Sequence, residues 1–281
     1  MLSYRMKKTK KSPPAATPQD TTKDILVNVI LDRSGSMESC QSGTISGYNE
    51  YINGLKADKD SNYSVSLIQF DSPGNNPELT VSYADKPLAE VPNLSADTYQ
   101  PRGGTPLYDA IGECVRRVIA KARAVITVII TDGEENSSHE FTRDSVKNLI
   151  KSKESEGWKF IFLGANIDSA AVGGSLGVAA TACANYSASN VGVRNTFAAM
   201  SASNRRYATT ARTMGVRAAG MSASFTMAEQ KSMLDDSGGL PAAQPPFQPV
   251  TVTTVIGNPI GTVTVSQRKP RDWTVKQVPS A

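Results

Sequence analysis

The chain has 281 residues, 39% of them hydrophobic and 20% charged, enough for one large α/β domain with tails or for two small domains. No apolar run approaches the ~20 residues that a membrane-spanning helix needs, which excludes a helical span from the sequence reading. The net charge of +4 resides in residues 1–24, where Arg5, Lys7, Lys8, Lys10, Lys11 and Lys23 face only Asp20 and Asp24. The remainder is balanced, so composition implies no basic face of the kind nucleic-acid binders carry.

Three cysteines, Cys40, Cys114 and Cys183, are far apart and form no Cys-x-x-Cys. That spacing suits free thiols in a reducing compartment better than a disulfide framework. The basic head is followed by a polar Pro/Ala/Thr-rich stretch rather than an apolar one, so no export signal is read and a cytoplasmic location is expected.

In chain order, residues 1–23 read as a disordered basic head broken by Pro13, Pro14 and Pro18. Residues 25–31 have the length and β-branching of a buried strand, and Asn28 within it needs a hydrogen-bond partner. Ile45, Tyr48, Ile52 and Leu55 recur at helical spacing. Residues 63–70 and 79–83 read as strands, the second as a short antiparallel edge strand. Leu107, Ile111, Val115 and Val118 mark a second helix, and 124–130 a further buried strand. Val146, Leu149, Ile150 and Lys153 mark a third helix, 158–163 a strand, 168–177 a weak helix, and Val193, Phe197 and Met200 a last helix. Strands alternating with helices predict a mainly parallel sheet covered on both faces, over residues 24–205, with 25–31 at its centre. Residues 206–249 read as a low-complexity and linker region, and 250–281 as a tail in which 250–256 and 262–266 predict a β-hairpin around Gly257–Gly261.

In a doubly wound sheet, ligands sit beyond the carboxyl ends of the strands. Asp32-Arg33-Ser34-Gly35-Ser36 follows the first strand, Gly103-Gly104-Thr105-Pro106 opens the second helix, and Thr131-Asp132-Gly133 follows the strand at 124–130. All three fall on one rim. Asp32, Ser34, Ser36, Thr105 and Asp132 then offer two carboxylates and three hydroxyls, hard oxygen donors that suit Mg²⁺ or Mn²⁺ rather than zinc.

Asp-x-Ser-x-Ser, a distant Thr and a later Asp resemble the metal-ion-dependent adhesion site of von Willebrand factor A-type (VWA) domains, and Asp32, Ser34, Ser36, Thr105 and Asp132 match its five positions. Residues 27–37, 98–111, 128–137 and 157–168 resemble a cytoplasmic VWA group common in bacteria and their phages. The likeness covers about residues 25–205. It implies an α/β, Rossmann-like doubly wound sheet of six strands. It also implies direct metal contact from Ser34, Ser36 and Thr105, aspartates acting mostly through water, and a position left open for the carboxylate of a partner protein.

Each residue also has an ordinary reading: Ser34 and Ser36 as loop residues, Thr105 as an N-cap before Pro106, Asp132-Gly133 as a turn, and Glu134 and Glu135 as a solvated loop. Taken together in the right order on strand ends, the five favour the metal site. Enzyme readings fail on the residues. A phosphotransferase of the haloacid-dehalogenase type needs Asp-x-Asp where Ser34 stands, and a P-loop needs a Gly-Lys that the chain lacks. Gly173-Gly174-Ser175-Leu176-Gly177 fits the nucleophile-elbow pattern, but it follows no strand, and His139, the one histidine, precedes it. The expectation is a non-enzymatic module that holds a partner's Asp or Glu through Mg²⁺ (or Mn²⁺), without membrane or nucleic-acid contact. The alternative is a structural or assembly protein, of a phage particle for example, that docks through this domain and its C-terminal hairpin.

Overall fold

The computed structural model describes residues 21–118, 124–187, 189–222, 224–235 and 276–277. Strands and helices alternate: β1 (Asp24–Asp32), α1 (Gln41–Lys56), β2 (Asn62–Asp71), β3 (Glu78–Pro87), α2 (Leu107–Arg117), β4 (Ala124–Thr131), α3 (Arg143–Ser155), β5 (Lys159–Gly164), α4 (Ser169–Ser175) and β6 (Cys183–Asn185). Helices α5 (Asn190–Met214), α6 (Val216–Gly220) and α7 (Met227–Met233) follow, and a two-residue strand β7 (Lys276–Gln277) completes the set.

The strand order is β6-β5-β4-β1-β2-β3-β7. β1 pairs in parallel with β2 and β4, β4 with β5, and β5 with β6, while β3 runs antiparallel to β2. This is the expected doubly wound, mainly parallel sheet of six strands with β1 inside it. β3 takes the expected antiparallel place beyond β2, and β7 adds two residues in parallel at Thr80 and Val81.

The apolar run of β1, broken only by Asn28, follows from burial on both faces. Val27, Val29 and Leu31 pack with Tyr48 and Ile52 of α1 and with Phe197, Met200 and Tyr207 of α5. Leu26 and Ile30 point the other way, to Leu107, Ile111 and Val115 of α2 and to Val146 and Ile150 of α3. Asn28 is fully buried, and its side-chain nitrogen faces Thr127 Oγ1 of β4 at 3.5 Å, the two residues being register partners.

The sequence reading placed a domain edge at 205. In the structure α5 passes through that position without a break for 25 residues, from Asn190 to Met214. Tyr207, Ala211, Val216, Ala219, Phe225 and Met233 all join the core around α1 and β1. The layer is therefore part of the domain at least to Asp235. The Ala/Ser/Thr composition that reads as low complexity is that of a buried helix face built from small residues, with Ala208, Ala211 and Ala219 buried. The basic head through residue 20, the 236–249 linker and the 250–266 hairpin lie outside the described residues. Among the described residues no helix is long and apolar enough to cross a membrane, and Cys40, Cys114 and Cys183 are free and buried.

Candidate metal centre

Asp32 is the last residue of β1, and parallel register with β4 sets it beside Thr131. Its carboxylate is completely buried. Oδ1 accepts the Ser34 backbone N–H at 2.7 Å, and Oδ2 accepts the Thr131 hydroxyl at 2.6 Å. The Tyr99 hydroxyl donates to the Asp32 carbonyl at 2.6 Å, fixing the strand end from the other side. Ser34 and Ser36 then turn away from the sheet. Their hydroxyls lie 3.0 Å apart, and Ser36 Oγ donates to Asp132 Oδ1 at 2.7 Å. One hydrogen-bonded chain therefore runs through four of the five predicted residues.

Thr105 comes from a separate loop and closes the group across Gly133. A Cβ placed on Gly133 would meet Thr105 Oγ1 at 3.1 Å and Ser36 Oγ at 3.4 Å, so both hydroxyls face the same small space. Thr105 is 2% exposed, and its hydroxyl has no hydrogen-bond partner among the described residues. It is not the N-cap of α2: that position is Pro106, without a side-chain cap. Glu135 and Ser138 cover the helix start instead, accepting the backbone N–H of Tyr108 at 2.9 Å and of Asp109 at 3.1 Å. Glu135 also accepts the N–H groups of Ser137 and Ser138. It is thus a structural carboxylate, not the solvated loop residue that was expected; Glu134 is exposed.

The loops are held by glycine and by backbone pairing. Gly103 has φ of +67°, and a Cβ there would lie 2.5 Å from the carbonyl of Ser72. That approach lets Gly104 N–H reach Ser72 O at 3.2 Å and Gly35 N–H reach Gly103 O at 3.0 Å. Thr105 N–H donates to Asn136 Oδ1 at 2.8 Å, tying the threonine loop to the segment after β4. Sequence reasoning missed Thr131, Tyr99 and Asn136. Thr131 carried a signal, a hydroxyl at a buried strand end next to Asp132; Tyr99 and Asn136 lie in segments that carry the resemblance, but nothing in the sequence marked their hydrogen-bonding roles.

Burial pushes the Asp32 carboxyl up to about 7, against the hydrogen bonds from Thr131 and Ser34, and Asp132 adds to the rise. Asp132 is also raised, by burial first, with the Ser36 hydrogen bond opposing. Two desolvated carboxylates, two linked serines and a threonine hydroxyl without a partner among the described residues form an all-oxygen donor set that fits a hard divalent ion. Among the described residues no three His, Cys, Asp or Glu side chains gather. Ser175, by contrast, sits in the last turn of α4 with its hydroxyl on Val172 O at 2.7 Å, so it is not at a strand-to-helix elbow. His139 is exposed.

No family model matches the chain, and no curated protein matches it. Among solved structures, a von Willebrand factor type A protein from Catenulispora acidiphila is 13% identical, with 66% of this chain and 43% of that one covered at a TM-score of 0.45. The manganese-loaded TRAP protein of Plasmodium vivax is 18% identical, over 51% and 58%, with a TM-score of 0.39. The PilB minor pilin of Streptococcus sanguinis is 12% identical, over 68% and 63%, with a TM-score of 0.49. The chain spans 43% to 46% of the length of the first three solved structures it resembles. At such distances these likenesses decide nothing about role, and the fold rests on the strand order and register given above.

Proposed function

We propose that the chain is a non-enzymatic, metal-dependent protein-binding module whose ion is held by Ser34, Ser36, Thr105, Asp32 and Asp132. The observation that carries this reading is the convergence of five oxygen-bearing side chains from three loops on one rim, joined by hydrogen bonds from Asp32 to Asp132. Ser34, Ser36 and Thr105 are neutral donors, so they leave an ion's charge largely uncompensated. A bound Mg²⁺ or Mn²⁺ would supply an electrophilic position for a carboxylate, and a partner presenting Asp or Glu is favoured there by charge pairing at short range.

The test is calorimetric titration of Mg²⁺ and Mn²⁺ into the wild type and into Asp132→Ala. The wild type is expected to bind in the micromolar to millimolar range, and Asp132→Ala to lose about 100-fold or more, since it removes one of the two charges. The fold should survive, because Asp132 is on the rim and outside both apolar cores. Equal affinity in the two proteins, or no binding by the wild type at millimolar metal, ends this reading.

A further inference from the structure

Behind the five residues lies a second polar group that none of them uses. Arg33, between Asp32 and Ser34, turns its side chain along the rim to the end of β2, where only 11% of it stays exposed. Its Nε donates to Asp71 Oδ2 and its Nη2 to Asp71 Oδ1, both at 3.1 Å, and Nη2 also reaches Thr80 Oγ1 at 3.2 Å. Asp71 ends β2 and is fully buried. Its Oδ2 also accepts Arg102 Nε at 2.5 Å. Arg102 Nη2 donates to Glu78 Oε1 at 3.0 Å, and the same oxygen stands 4.0 Å from Arg33 Nη2. Two guanidinium groups and two carboxylates thus balance in charge.

The backbone repeats the link. Arg33 N–H donates to Phe70 O, and Arg102 N–H donates to Arg33 O, both at 2.8 Å. Arg33 sits on the loop that carries Ser34 and Ser36, and Arg102 is three residues before Thr105. The buried Asp71 is therefore the common anchor of two loops whose hydroxyls lie about 70 residues apart in sequence.

We propose that Arg33, Asp71 and Arg102 form a clamp that sets the spacing between the Ser34/Ser36 loop and the Thr105 loop, and so the affinity of the hydroxyl site for its ion. The proposal rests on the metal-binding reading and deepens it. None of the three residues is a ligand; they are positioning residues. Neutral hydroxyls are drawn to an ion only weakly, so their geometry has to be built in beforehand, and a small divalent ion tolerates little error in ligand distance. Groups that orient ligands from behind commonly change metal affinity 10- to 100-fold when removed.

Charge and geometry predict opposite signs here. Arg102→Ala takes a positive charge away from the neighbourhood of a cation site, so electrostatics alone would tighten metal binding. Loss of the clamp would loosen it. Arg116 supplies the control: its side chain is 44% exposed against 46% for Arg102, and it too bridges two carboxylates, Glu113 and Glu140, but at α2 and away from the rim.

Mn²⁺ affinity of the full chain would be read from the free-ion electron paramagnetic resonance signal. Thermal unfolding in chelator would accompany it as a check on folding. Arg102→Ala is expected to bind Mn²⁺ about 10-fold more weakly than wild type, and Arg116→Ala within about twofold. Arg102→Lys, which keeps the charge but loses the fork onto Asp71 and Glu78, is expected to remain severalfold weaker, and it stands in should the alanine variant fold poorly. Wild-type or tighter binding by both Arg102 variants overturns the clamp while leaving the metal site standing. Absence of Mn²⁺ binding by the wild type itself overturns both.

Discussion

The rim that carries Asp32, Ser34, Ser36, Thr105 and Asp132 and the helical layer α5 to α7 encode their structure in opposite ways. On the rim a few residue types at fixed places do everything: a carboxylate at a strand end, hydroxyls two residues apart, a glycine where a Cβ would strike Ser72. Any of them is conspicuous in the sequence, and none contributes to an apolar core. The helical layer has no such signature. Its buried face mixes Phe197, Met200 and Tyr207 with Ala208, Ala211 and Ser203, and its stability is spread over many ordinary contacts. The comparison teaches that the candidate site on this chain is written in identities and the fold in patterns. The two should therefore come apart under mutation.

Ending the chain at residue 205 should have the largest effect. It removes Tyr207, Phe225 and Met233 from the core around α1 and β1 and bares that face of the sheet. We expect no cooperative thermal transition and no near-ultraviolet circular dichroism signal. A cooperative transition in the shortened chain would make the layer an appendage and dissolve the contrast.

Next comes Tyr207→Ala. The ring is fully buried, and its hydroxyl donates to Gly157 O at 2.8 Å. Truncation leaves a cavity and an acceptor without its donor, for a loss of about 3–5 kcal/mol in urea unfolding. Metal affinity of the folded fraction should not change. A loss below about 1 kcal/mol would mean that the site collapses easily and the layer packs loosely.

The doubly wound core was legible because β1 and β4 are almost wholly apolar runs rich in β-branched residues, and four of the five candidate site residues, Asp32, Ser34, Ser36 and Asp132, stand at or just beyond the ends of those runs. Three things were not legible. The three-residue β6 is too short to show a period. The β3 strand, expected over five residues, spans ten, because pairing to β2 across two register shifts extends it beyond its apolar part. The layer after 205 failed for the reason already given: small residues on a buried helix face look like linker composition. Tertiary packing, not local propensity, places all three.

Lys159 tests the same layer through pH. It starts β5, is 3% exposed, and its amine reaches Ser222 O at 3.2 Å beneath the helical layer. Burial first, and then Arg206, lower its pKa to about 7, with Glu229 opposing. Between that value and the ordinary lysine value the unfolded chain holds a proton that the folded chain lacks. Stability contributed by this group therefore rises with pH across the window, and the cost of burial is fullest below about 7. Comparing wild type with Lys159→Met by urea unfolding from pH 6 to pH 10 isolates it. The difference should move in favour of the wild type as pH rises, by at most a few kcal/mol. A difference that stays flat would show that Lys159 keeps its proton in the fold.

The smallest effects separate the rim from its support. Thr105 and Glu135 both stand near the start of α2, and the ordinary sequence reading gives the threonine the role of helix cap. The structure gives it to Glu135, which takes the N–H groups of Tyr108, Ser137 and Ser138, while the Thr105 hydroxyl takes none. In chelator, Glu135→Ala should cost about 1–2 kcal/mol, the range of a lost helix cap. Thr105→Ala should cost about 1 kcal/mol or less, the price of a buried methyl without a broken hydrogen bond. With Mn²⁺ present the order should reverse in the binding signal. Thr105→Ala removes one oxygen of the proposed site and should weaken Mn²⁺ binding markedly, whereas Glu135→Ala keeps all five residues of that site. If Thr105→Ala proved the more destabilising of the two in chelator, the threonine would belong to the fold after all. Its unpaired hydroxyl would then no longer count as a feature kept for an ion.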